Sequence, residues 1–494
     1  MTRATFGARC SVIAGSVVAV AVGLMEMGSV AAQEAKANRA PTDTAAWALA
    51  RYAADLKYED LPPDVVEITK RRILDSLGTA YGAYQAPSMA ILRDVTASQG
   101  GKPESTIIGS GQMTTAANAS MVNGAMIYYA NFSDTYWSMD KSYMHPSGSI
   151  SVALAVAERQ KASGRDLILA TVLGYEMQSR LADTFRWPGF NQHSAGAFSG
   201  AIIAGKLLKL NAEQMANALG IGWAHSFIMA GQYGIGYTSD EKDLGEAATS
   251  ANGVTAALLA QKGFTGPVTI IESYQKDFEK DAPLAPLVSP RKDFKITQAW
   301  MKPYESFHVS ESAIAGAIQI TKEHKITPDQ IQKVFVRGMP ARRDTGITRN
   351  TSIPTDESEA ALNLAYVVAL SIMDGELGRD QYAKEQWKDP KVHELMAKME
   401  FQGDAALTKE FPKKWVSIVQ ITTKDGKTYT QRIDLPKGGP DNPMTDAEIE
   451  AKFSKMATKL MPKAQADQII KACYALDKVS DVSELTKLLR STGR

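Results

Sequence analysis

The chain has 494 residues, of which 44% are hydrophobic and 22% are charged, an ordinary balance for a soluble globular protein. Its 55 basic and 54 acidic side chains leave a formal net charge of +1, so no basic field favours binding to nucleic acid or to an anionic membrane. At roughly 150 residues per domain, this length predicts two to three domains, each large enough for its own core. The expected partner is therefore a small molecule or another protein.

The N-terminus has the features of a secretory signal peptide. Arginines and no acidic residues precede a 15-residue apolar run at 11–25, and Val30 and Ala32 supply small residues at the −3 and −1 positions of a cleavage site. The run is too short to span a membrane, and an uncleaved N-terminal helix is the alternative interpretation. Cleavage after Ala32 would remove residues 1–32 and leave Cys473 as the only cysteine. The sequence therefore predicts a soluble protein exported to the periplasm.

Residues 40–292 are predicted to form a large all-helical domain. Apolar residues recur at three- and four-residue spacing in the segments 43–62 and 63–84. Asn211, followed three residues later by Gln214, is a capping box that predicts the start of a helix. The later helices of this region are rich in Gly and Ala, whose small side chains let helix backbones approach closely. We therefore expect them to be the inner helices of a bundle.

Residues 293–444 are predicted to form a smaller α+β domain. Segment 330–339 has the composition of a strand, and segment 414–435 is predicted to be a β-hairpin with Asp425-Gly426 in a type I′ turn. A second capping box opens residues 445–494, which are predicted to be C-terminal helices that rejoin the first domain. The predicted fold class is thus mostly α, with a large helical domain and a smaller α+β domain.

Two histidines and two lysines stand where chemistry is plausible. His145 and His193 each precede a small-residue helix, whose dipole disfavours the imidazolium form and leaves the ring poised to exchange protons. Lys242 precedes a helix that should be buried, and Lys302 lies beside a rigid proline, so each lysine either snorkels or holds an anion. A capping or core role is the alternative for both histidines. No histidine belongs to an HExxH motif, so no metal site is expected.

Two weaker motifs point to other classes of protein. Gly109 and Gly111 supply half of a dinucleotide-binding fingerprint, but Thr114 occupies the position of the third glycine, which favours a simple tight turn. The hydroxyl groups that follow His145 would suit a hydrolase acting on a secreted ester. The chain lacks the G-x-S-x-G nucleophile elbow of such enzymes, which argues against that class.

Several longer motifs occur in one consistent order along the chain. They include ILDSLGTAYGAY, MHPSGSISVALAVAE, HSAGAFSGAIIAGKLLKLNAEQMANALGI, KDLGEAATSANGVTAALLAQKGFTGP and NPMTDAEIEAKF. In this order the motifs resemble the MmgE/PrpD family, which includes 2-methylcitrate dehydratase, cis-aconitate decarboxylase and iminodisuccinate epimerase. The resemblance covers residues 45–490. It implies a helical domain with an α+β lid, a homodimer, and chemistry that needs no cofactor.

The resemblance also implies roles for individual residues. The aspartate-rich loop of the family falls on YYANFSDT, where Asn131 and Ser133 replace aspartates and Asp134 and Thr135 match. Asparagine cannot take up a proton, unlike the aspartate that it replaces. The expected catalytic residues are Asp134, His145, Lys242 and the lid tyrosine Tyr366. The expected substrate-binding residues are Asn131, Thr135, His193 and Lys302.

We therefore expect a cofactor-independent lyase, a dehydratase or decarboxylase, that moves a proton next to a carboxylate of a small di- or tricarboxylic acid. An epimerase of the same family, or an exported carboxylate-binding protein with a disabled site, is the alternative. The two histidines and two lysines should converge on one cleft between the helical domain and the lid, with the Tyr366 hydroxyl facing it. The stretch YWSMDKSYM between Thr135 and His145 should reshape this pocket and add Asp140 and Lys141.

Overall fold

The computed structural model describes residues 41–138, 141–231, 239–289, 293–339, 352–411 and 413–491. The predicted signal peptide and Asp140 of the insertion lie outside these ranges, and both stay predictions. Within the described ranges the chain is mostly helical and carries only small sheets, which confirms the predicted fold class. None of the described helices combines the length and the apolar character that crossing a membrane requires.

The described part of the chain before residue 290 is built from helices and two short strand pairs. The helices are α1 (Ala45–Asp55), α2 (Pro63–Ala83), α3 (Pro87–Gln99), α4 (Ala116–Tyr128), α5 (Gly148–Gln160), α6 (Gly164–Thr184), α7 (Gly196–Leu207), α8 (Ala212–Ala224), α9 (Glu241–Gln261), α10 (Ile270–Phe278) and α11 (Ala285–Val288). The strands are β1 (Ser105–Thr106) with β2 (Met113–Thr114), and β3 (Tyr136–Trp137) with β4 (Tyr143–Met144). Gly109 and Gly111 adopt positive φ between β1 and β2, which confirms the tight-turn interpretation.

Glycine decides how closely the central helices pack. A Cβ atom on Gly200 of α7 would clash with the backbone of Ser250 on α9, and one on Gly253 of α9 would clash with the backbone of Ala197 on α7. Only glycine permits this backbone-to-backbone approach. The Gly- and Ala-rich segments are therefore buried inner helices, as their composition predicts. The capping box of Asn211 with Gln214 is also present, at the start of α8.

The lid is a four-stranded sheet with helices, in the strand order β6-β5-β7-β8. The strands are β5 (Ile331–Gly338), β6 (Met399–Gly403), β7 (Ser417–Thr423) and β8 (Thr428–Ile433), and the helices are α12 (Glu311–His324), α13 (Glu357–Leu362), α14 (Leu364–Asp374), α15 (Arg379–Ala383), α16 (Pro390–Met396) and α17 (Ala405–Thr408). β5 runs parallel to β6 and antiparallel to β7. Alternate residues of β7 are buried, so one face of the sheet packs on α12 and the core behind it.

The β7–β8 hairpin is present, but the predicted type I′ turn was wrong. Thr422 pairs with Thr428, and the Thr423 N–H donates to the Lys427 carbonyl at 2.9 Å, so residues 424–426 form a longer loop than a two-residue turn. A type I′ turn needs positive φ at both central residues, whereas here Gly426 has a φ of 84° and Asp425 is not in the left-handed region. The glycine instead occupies the left-handed position of a longer hairpin loop.

The C-terminal helices pack on the helical part of the chain. They are α18 (Asp446–Ala457), α19 (Lys463–Tyr474) and α20 (Ser483–Leu488). Phe453 of α18 packs on Tyr81 of α2, and both belong to the large apolar core that the helices share. A separate apolar core fills the space between the lid sheet and its helices. The exact domain boundaries at residues 292 and 444 stay predictions.

Candidate active site

A cavity of about 380 Å³ brings helical and lid residues together. It is lined by Tyr128, Asn131, Thr135, Trp137, Tyr143, His145, Arg186, Trp187, Phe190, Asn191, Gln192, Ala230, Lys242, Lys302, Phe307, His308, Val309 and Leu362. Five of the eight residues expected from the motifs are among them: Asn131, Thr135, His145, Lys242 and Lys302. Pockets of roughly 300–1,000 Å³ are typical of small-molecule sites, so the volume suits a small ligand.

The loop between α4 and α5 forms one wall of this cavity. Asn131 has a φ of 54°, a left-handed conformation that asparagine and aspartate tolerate better than most residues. Thr135 forms a short antiparallel bridge with Trp300, through hydrogen bonds of 2.9 and 2.7 Å between their backbones. This bridge fixes the loop against the segment that carries Lys302. The predicted insertion then folds into the β3–β4 hairpin, and its Lys141 is not part of the cavity wall.

His145 is held as a neutral imidazole with one nitrogen left to accept a proton. Its Nδ1 lies 3.0 Å from the backbone carbonyl of Asp134 and 3.3 Å from the hydroxyl of Thr135. Because a carbonyl can only accept a hydrogen bond, Nδ1 carries the ring proton and Nε2 carries the lone pair. Burial, and then the charge of Lys302, holds the pKa of His145 well below its ordinary value. This arrangement suits a general base.

Asp134 lies behind the cavity wall in a buried ion pair. Its Oδ2 lies 2.7 Å from Nη1 of Arg72 and accepts a hydrogen bond of 2.7 Å from the Tyr175 hydroxyl, while its Oδ1 accepts one of 3.1 Å from the Ser147 backbone N–H. Both oxygens are therefore engaged by the protein itself. The geometry gives Asp134 a positioning part, through the carbonyl that holds His145, in place of the proton transfer expected from the motif.

Lys302 is buried among backbone carbonyls at the cavity wall. Its ammonium group donates to the carbonyl of Asn131 at 2.9 Å and to that of Ser306 at 3.0 Å. Burial lowers the pKa of Lys302 to about 7, against an opposing influence from Glu311 and with a smaller contribution from Lys242. A bound anion would favour the charged form, so this lysine can respond to the charge of a ligand.

Lys242 and the two histidines are connected by the ring of Tyr128. The ammonium group of Lys242 lies 5.2 Å from the ring centroid, a cation–π distance, and donates to Asp243 at 2.6 Å. The ring of Tyr128 makes T-shaped contacts with both imidazoles, with its centroid 4.9 Å from that of His145 and 5.1 Å from that of His193. The two imidazole centroids lie 6.3 Å apart. Burial, and then Lys242, lowers the pKa of His193 to about 3, so this ring is neutral too.

Tyr366 does not line the cavity. It lies on α14, whose residues from 364 to 372 are all buried, so the helix is the central helix of the lid core. Its hydroxyl has no hydrogen-bond partner among the described residues, and its ring lies 6.2 Å from that of Tyr382. The expectation that the hydroxyl faces the cavity is not met, because an apolar helix buried on every side keeps the tyrosine inside the lid.

His308 is a cavity residue that the motifs do not single out. It stands just before α12, and its ring packs edge-on against Trp415 at 4.5 Å and Trp300 at 5.3 Å. Neither ring nitrogen has a hydrogen-bond partner in the described structure, and burial holds its pKa well below the ordinary value. The one available signal was its position six residues after Lys302, in the same stretch WMKPYESFH.

Two further charged residues support the site from outside the cavity. Arg72 of α2 donates to the backbone carbonyls of Ile296 and Ala299 in addition to its ion pair with Asp134. Lys452 of α18 donates to the carbonyls of Phe132 at 3.0 Å and Lys302 at 2.9 Å, and it pairs with the buried Asp75 of α2 at 2.7 Å. These contacts lie far apart in sequence, so no local pattern predicts them.

Buried polar groups without partners point to a ligand. The Nδ2 amide of Asn131 and both ring nitrogens of His308 lack hydrogen-bond partners among the described residues. An unpaired buried polar group costs about 1–3 kcal/mol, so such groups at a cavity usually find partners in a bound molecule. Within the described ranges, no three His, Cys, Asp or Glu side chains gather in an arrangement that would hold a metal ion.

Comparison with known proteins defines the family. Residues 47–279 match the MmgE/PrpD N-terminal domain, and residues 304–476 match the MmgE/PrpD C-terminal domain. The two matches together cover most of the chain. The protein therefore belongs to the MmgE/PrpD family, as its motifs indicate.

Similar proteins within this family are named as two kinds of enzyme. Cis-aconitate decarboxylase of Mus musculus is 26% identical over 461 residues, covering 88% of this chain and 91% of the mouse protein. Cis-aconitate decarboxylase of Aspergillus terreus is 23% identical over 475 residues, covering 89% and 95%. The 2-methylcitrate dehydratase of Escherichia coli is 22% identical over 347 residues, covering 63% and 68%.

The buried ion pair leads to a stability prediction. Replacing Asp134→Asn leaves the Arg72 guanidinium buried without its counter-charge, so the free energy of unfolding should fall by about 3–5 kcal/mol. Urea denaturation followed by circular dichroism measures this loss. The control is Glu400→Gln, which breaks an exposed pair with Lys333 and should change stability by less than about 1 kcal/mol. An Asp134→Asn protein as stable as wild type would show that the pair has no structural role.

Proposed function

We propose that the protein is a lyase that acts on a small carboxylic acid by moving a proton at the carbon next to a carboxylate. The observation that carries this proposal is a neutral imidazole, His145, in one cavity with the buried lysines Lys242 and Lys302; its Nδ1 faces the Asp134 carbonyl, which leaves the lone pair on Nε2. The names of its relatives, decarboxylase and dehydratase, support the same class of reaction.

The lysines supply the positive charge that a carboxylate needs on leaving water. Both side chains are almost completely buried, and a buried cation attracts an anion far more strongly than an exposed one does. The unpartnered N–H groups of Asn131 and His308 can donate further hydrogen bonds to the substrate. We propose that these groups bind the carboxylates and that the nearby imidazole of His145 faces the reacting carbon.

Proton removal is the step that the site favours in its resting state. Nε2 of His145 takes the proton from the carbon, and the electron pair of the broken C–H bond forms an enolate with the adjacent carboxylate. Fixed positive charges stabilise such an enolate by several kcal/mol. In a dehydration, the electron pair then expels the β-hydroxyl group, which leaves as water after it takes a proton from the ammonium group of Lys302 or from the His145 imidazolium.

Decarboxylation uses the same groups in a different order. The bond between the carbon and the departing carboxylate breaks, carbon dioxide leaves, and the electron pair remains on the carbon as an enolate-like anion. A proton then adds to that carbon, and Lys302, with a pKa of about 7, is the suitable donor. Return of a proton to the other face of the carbon would instead give an epimerase. Dehydration and epimerisation begin with removal of a proton, which a neutral His145 can accept at Nε2. Decarboxylation begins without that step, so the neutral state of His145 favours the first two reactions.

We propose di- or tricarboxylic acids as substrates, catalysis without a cofactor, a homodimer, and export to the periplasm after cleavage near Ala32. The homodimer and the absence of a cofactor follow from the family resemblance, and export follows from the N-terminal residues. Light scattering and N-terminal sequencing of the purified native protein test assembly and cleavage.

A carboxylate-binding protein without turnover is the second candidate. It is favoured by Asn131, which lies at the cavity where the family motif has an aspartate and which cannot exchange a proton. Asp134, the aspartate of this loop that matches the motif, has its carboxylate engaged by Arg72, Tyr175 and Ser147, so it is not placed to take over that part. We favour the enzyme, because His145 is held in the tautomer and the charge state that a base requires.

The first prediction of this proposal concerns His145. Replacing His145→Gln removes the proton acceptor, so kcat should fall by about 10²–10⁴-fold while carboxylate affinity changes little. The measurement is turnover of cis-aconitate, citrate and 2-methylcitrate, with binding followed by calorimetry. His324→Gln is the matched control, because that histidine packs on Tyr429 in the lid and does not line the cavity. Equal turnover by wild type and His145→Gln would refute the catalytic assignment.

The second prediction concerns pH. The pKa of Lys302 lies near 7 instead of its ordinary 10.5, so the free enzyme loses this positive charge as the pH rises through about 7. For an anionic substrate, kcat/KM should therefore fall about tenfold per pH unit above that point. The Lys302→Arg variant keeps its charge throughout this range and should lose that limb, even if its maximal rate is lower. A wild-type profile that stays flat from pH 7 to about pH 9 would contradict the prediction.

The third prediction separates the two candidate functions. Aspartate fits the left-handed backbone at position 131 as well as asparagine does, so Asn131→Asp should fold normally. In an active enzyme, the added carboxylate repels an anionic substrate and should lower kcat/KM by at least about tenfold. In a disabled relative, the same change would create turnover where wild type shows none. Steady-state assays of both proteins, with thermal unfolding as the control for folding, distinguish these outcomes.

A further inference from the structure

The insertion between Thr135 and His145 places two aromatic rings in the cavity wall. Trp137 of β3 and Tyr143 of β4 face each other across the hairpin and are directly paired in its register. Their rings stack with centroids 4.7 Å apart and planes inclined by 27°. Both residues line the cavity, so the hairpin contributes an aromatic surface beside the charged groups.

The position of this aromatic pair is fixed by contacts on both sides. Trp137 packs edge-on against Trp415 at 4.8 Å and meets Phe411 at 6.2 Å, both in the lid. Tyr143 meets the imidazole of His145 edge-on at 5.6 Å. Aromatic pairs of this geometry stabilise one another beyond the area they bury, so the pair is a fixed part of the site.

His145 lies between groups of opposite chemistry. Contacts run from the ammonium group of Lys242 through the ring of Tyr128 to His145, and from His145 through Tyr143 to Trp137. A substrate carbon placed at Nε2 therefore has cations within reach of one substituent and aromatic rings within reach of another. The faces of those two rings offer a carboxylate neither a charge nor a hydrogen-bond donor, so a carboxylate stacked on them would lose its hydration uncompensated. The donors at this wall, the Trp137 indole N–H and the His308 ring, belong to ring edges and have no partner among the described residues. An apolar group there would gain free energy from burial.

We propose that Trp137 and Tyr143 determine substrate specificity by binding an aromatic substituent of the carboxylic acid, in place of the third carboxylate of a citrate-like acid. This inference rests on the proposed function, because it assigns the substrate class of the same site. The lysines bind the carboxylates, His145 reaches the carbon beside one of them, and the hairpin selects the aryl group. Phe307 of the lid extends the apolar wall.

Two unreactive acids test the inference directly. Benzylsuccinate and tricarballylate share a succinate backbone and differ only in one substituent, a benzyl group in the first and a carboxymethyl group in the second. Calorimetry on the wild-type protein should show benzylsuccinate binding about tenfold or more tightly, since burying a phenyl ring removes a large apolar area from water. In Trp137→Ala the preference should disappear, while the affinity for tricarballylate changes little.

Further variants keep the result interpretable. Tyr143→Leu removes the second ring of the aromatic pair, which is only partly buried. This variant replaces Trp137→Ala in the test if Trp137→Ala does not fold. Tyr429→Ala removes an aromatic ring from the lid sheet outside the cavity and should leave both affinities unchanged. Lys242→Met should weaken both acids alike, because each depends on the same carboxylate contacts. Thermal unfolding of every variant reports whether it is folded.

The possible outcomes separate the inference from the proposed function. Two results would overturn the aromatic specificity alone, provided that binding still depends on Lys242. One is that wild type binds tricarballylate as tightly as benzylsuccinate or more tightly. The other is that both hairpin variants fold and keep the preference for benzylsuccinate. Failure of wild type to bind either acid counts against the carboxylate site itself and overturns both proposals. A preference for benzylsuccinate that is lost with the ring of Trp137 supports the inference.

Discussion

The site depends on one buried ion pair, between Arg72 and Asp134. The two side chains are almost completely removed from water, so neither is stable there without the other. Arg72 also donates to the carbonyls of Ile296 and Ala299, and it thereby ties helix α2 to the segment that leads to Lys302. The backbone carbonyl of Asp134 orients His145. A single guanidinium group thus sets the relative positions of the proposed base and of one proposed anion-binding lysine.

Burial controls the charge of three groups that line the cavity. It keeps His145 and His308 neutral and lowers the pKa of Lys302 to about 7. An anionic substrate stabilises the ammonium form of Lys302, while the backbone contact at Nδ1 keeps His145 ready to accept a proton. Binding and proton transfer are coupled through the same desolvation.

The local motifs correctly predicted cavity residues that lie beside helix starts and in loops. They gave the wrong position or role for residues that depend on contacts distant in sequence. His145, Lys242 and Lys302 reach the cavity because short helix-flanking segments present them there. Tyr366 has the expected motif, yet the apolar helix that carries it is buried inside the lid. Asp134 also has the expected motif, but a partner 62 positions earlier in the chain occupies its carboxylate. His308 was missed because its unpartnered nitrogens become evident only in three dimensions.

The sequence by itself determined the family, the predominance of helices, and five of the side chains in the cavity wall, because these follow from periodic apolar patterns and from motifs of fixed spacing. It also located the insertion before His145. Only the tertiary structure decided that this insertion folds as a hairpin that turns Trp137 and Tyr143 into the cavity wall. The physical reason is that the direction of a side chain in an irregular segment depends on the surfaces packed against it. Here Trp415 provides that surface, and it lies in the lid, far along the chain.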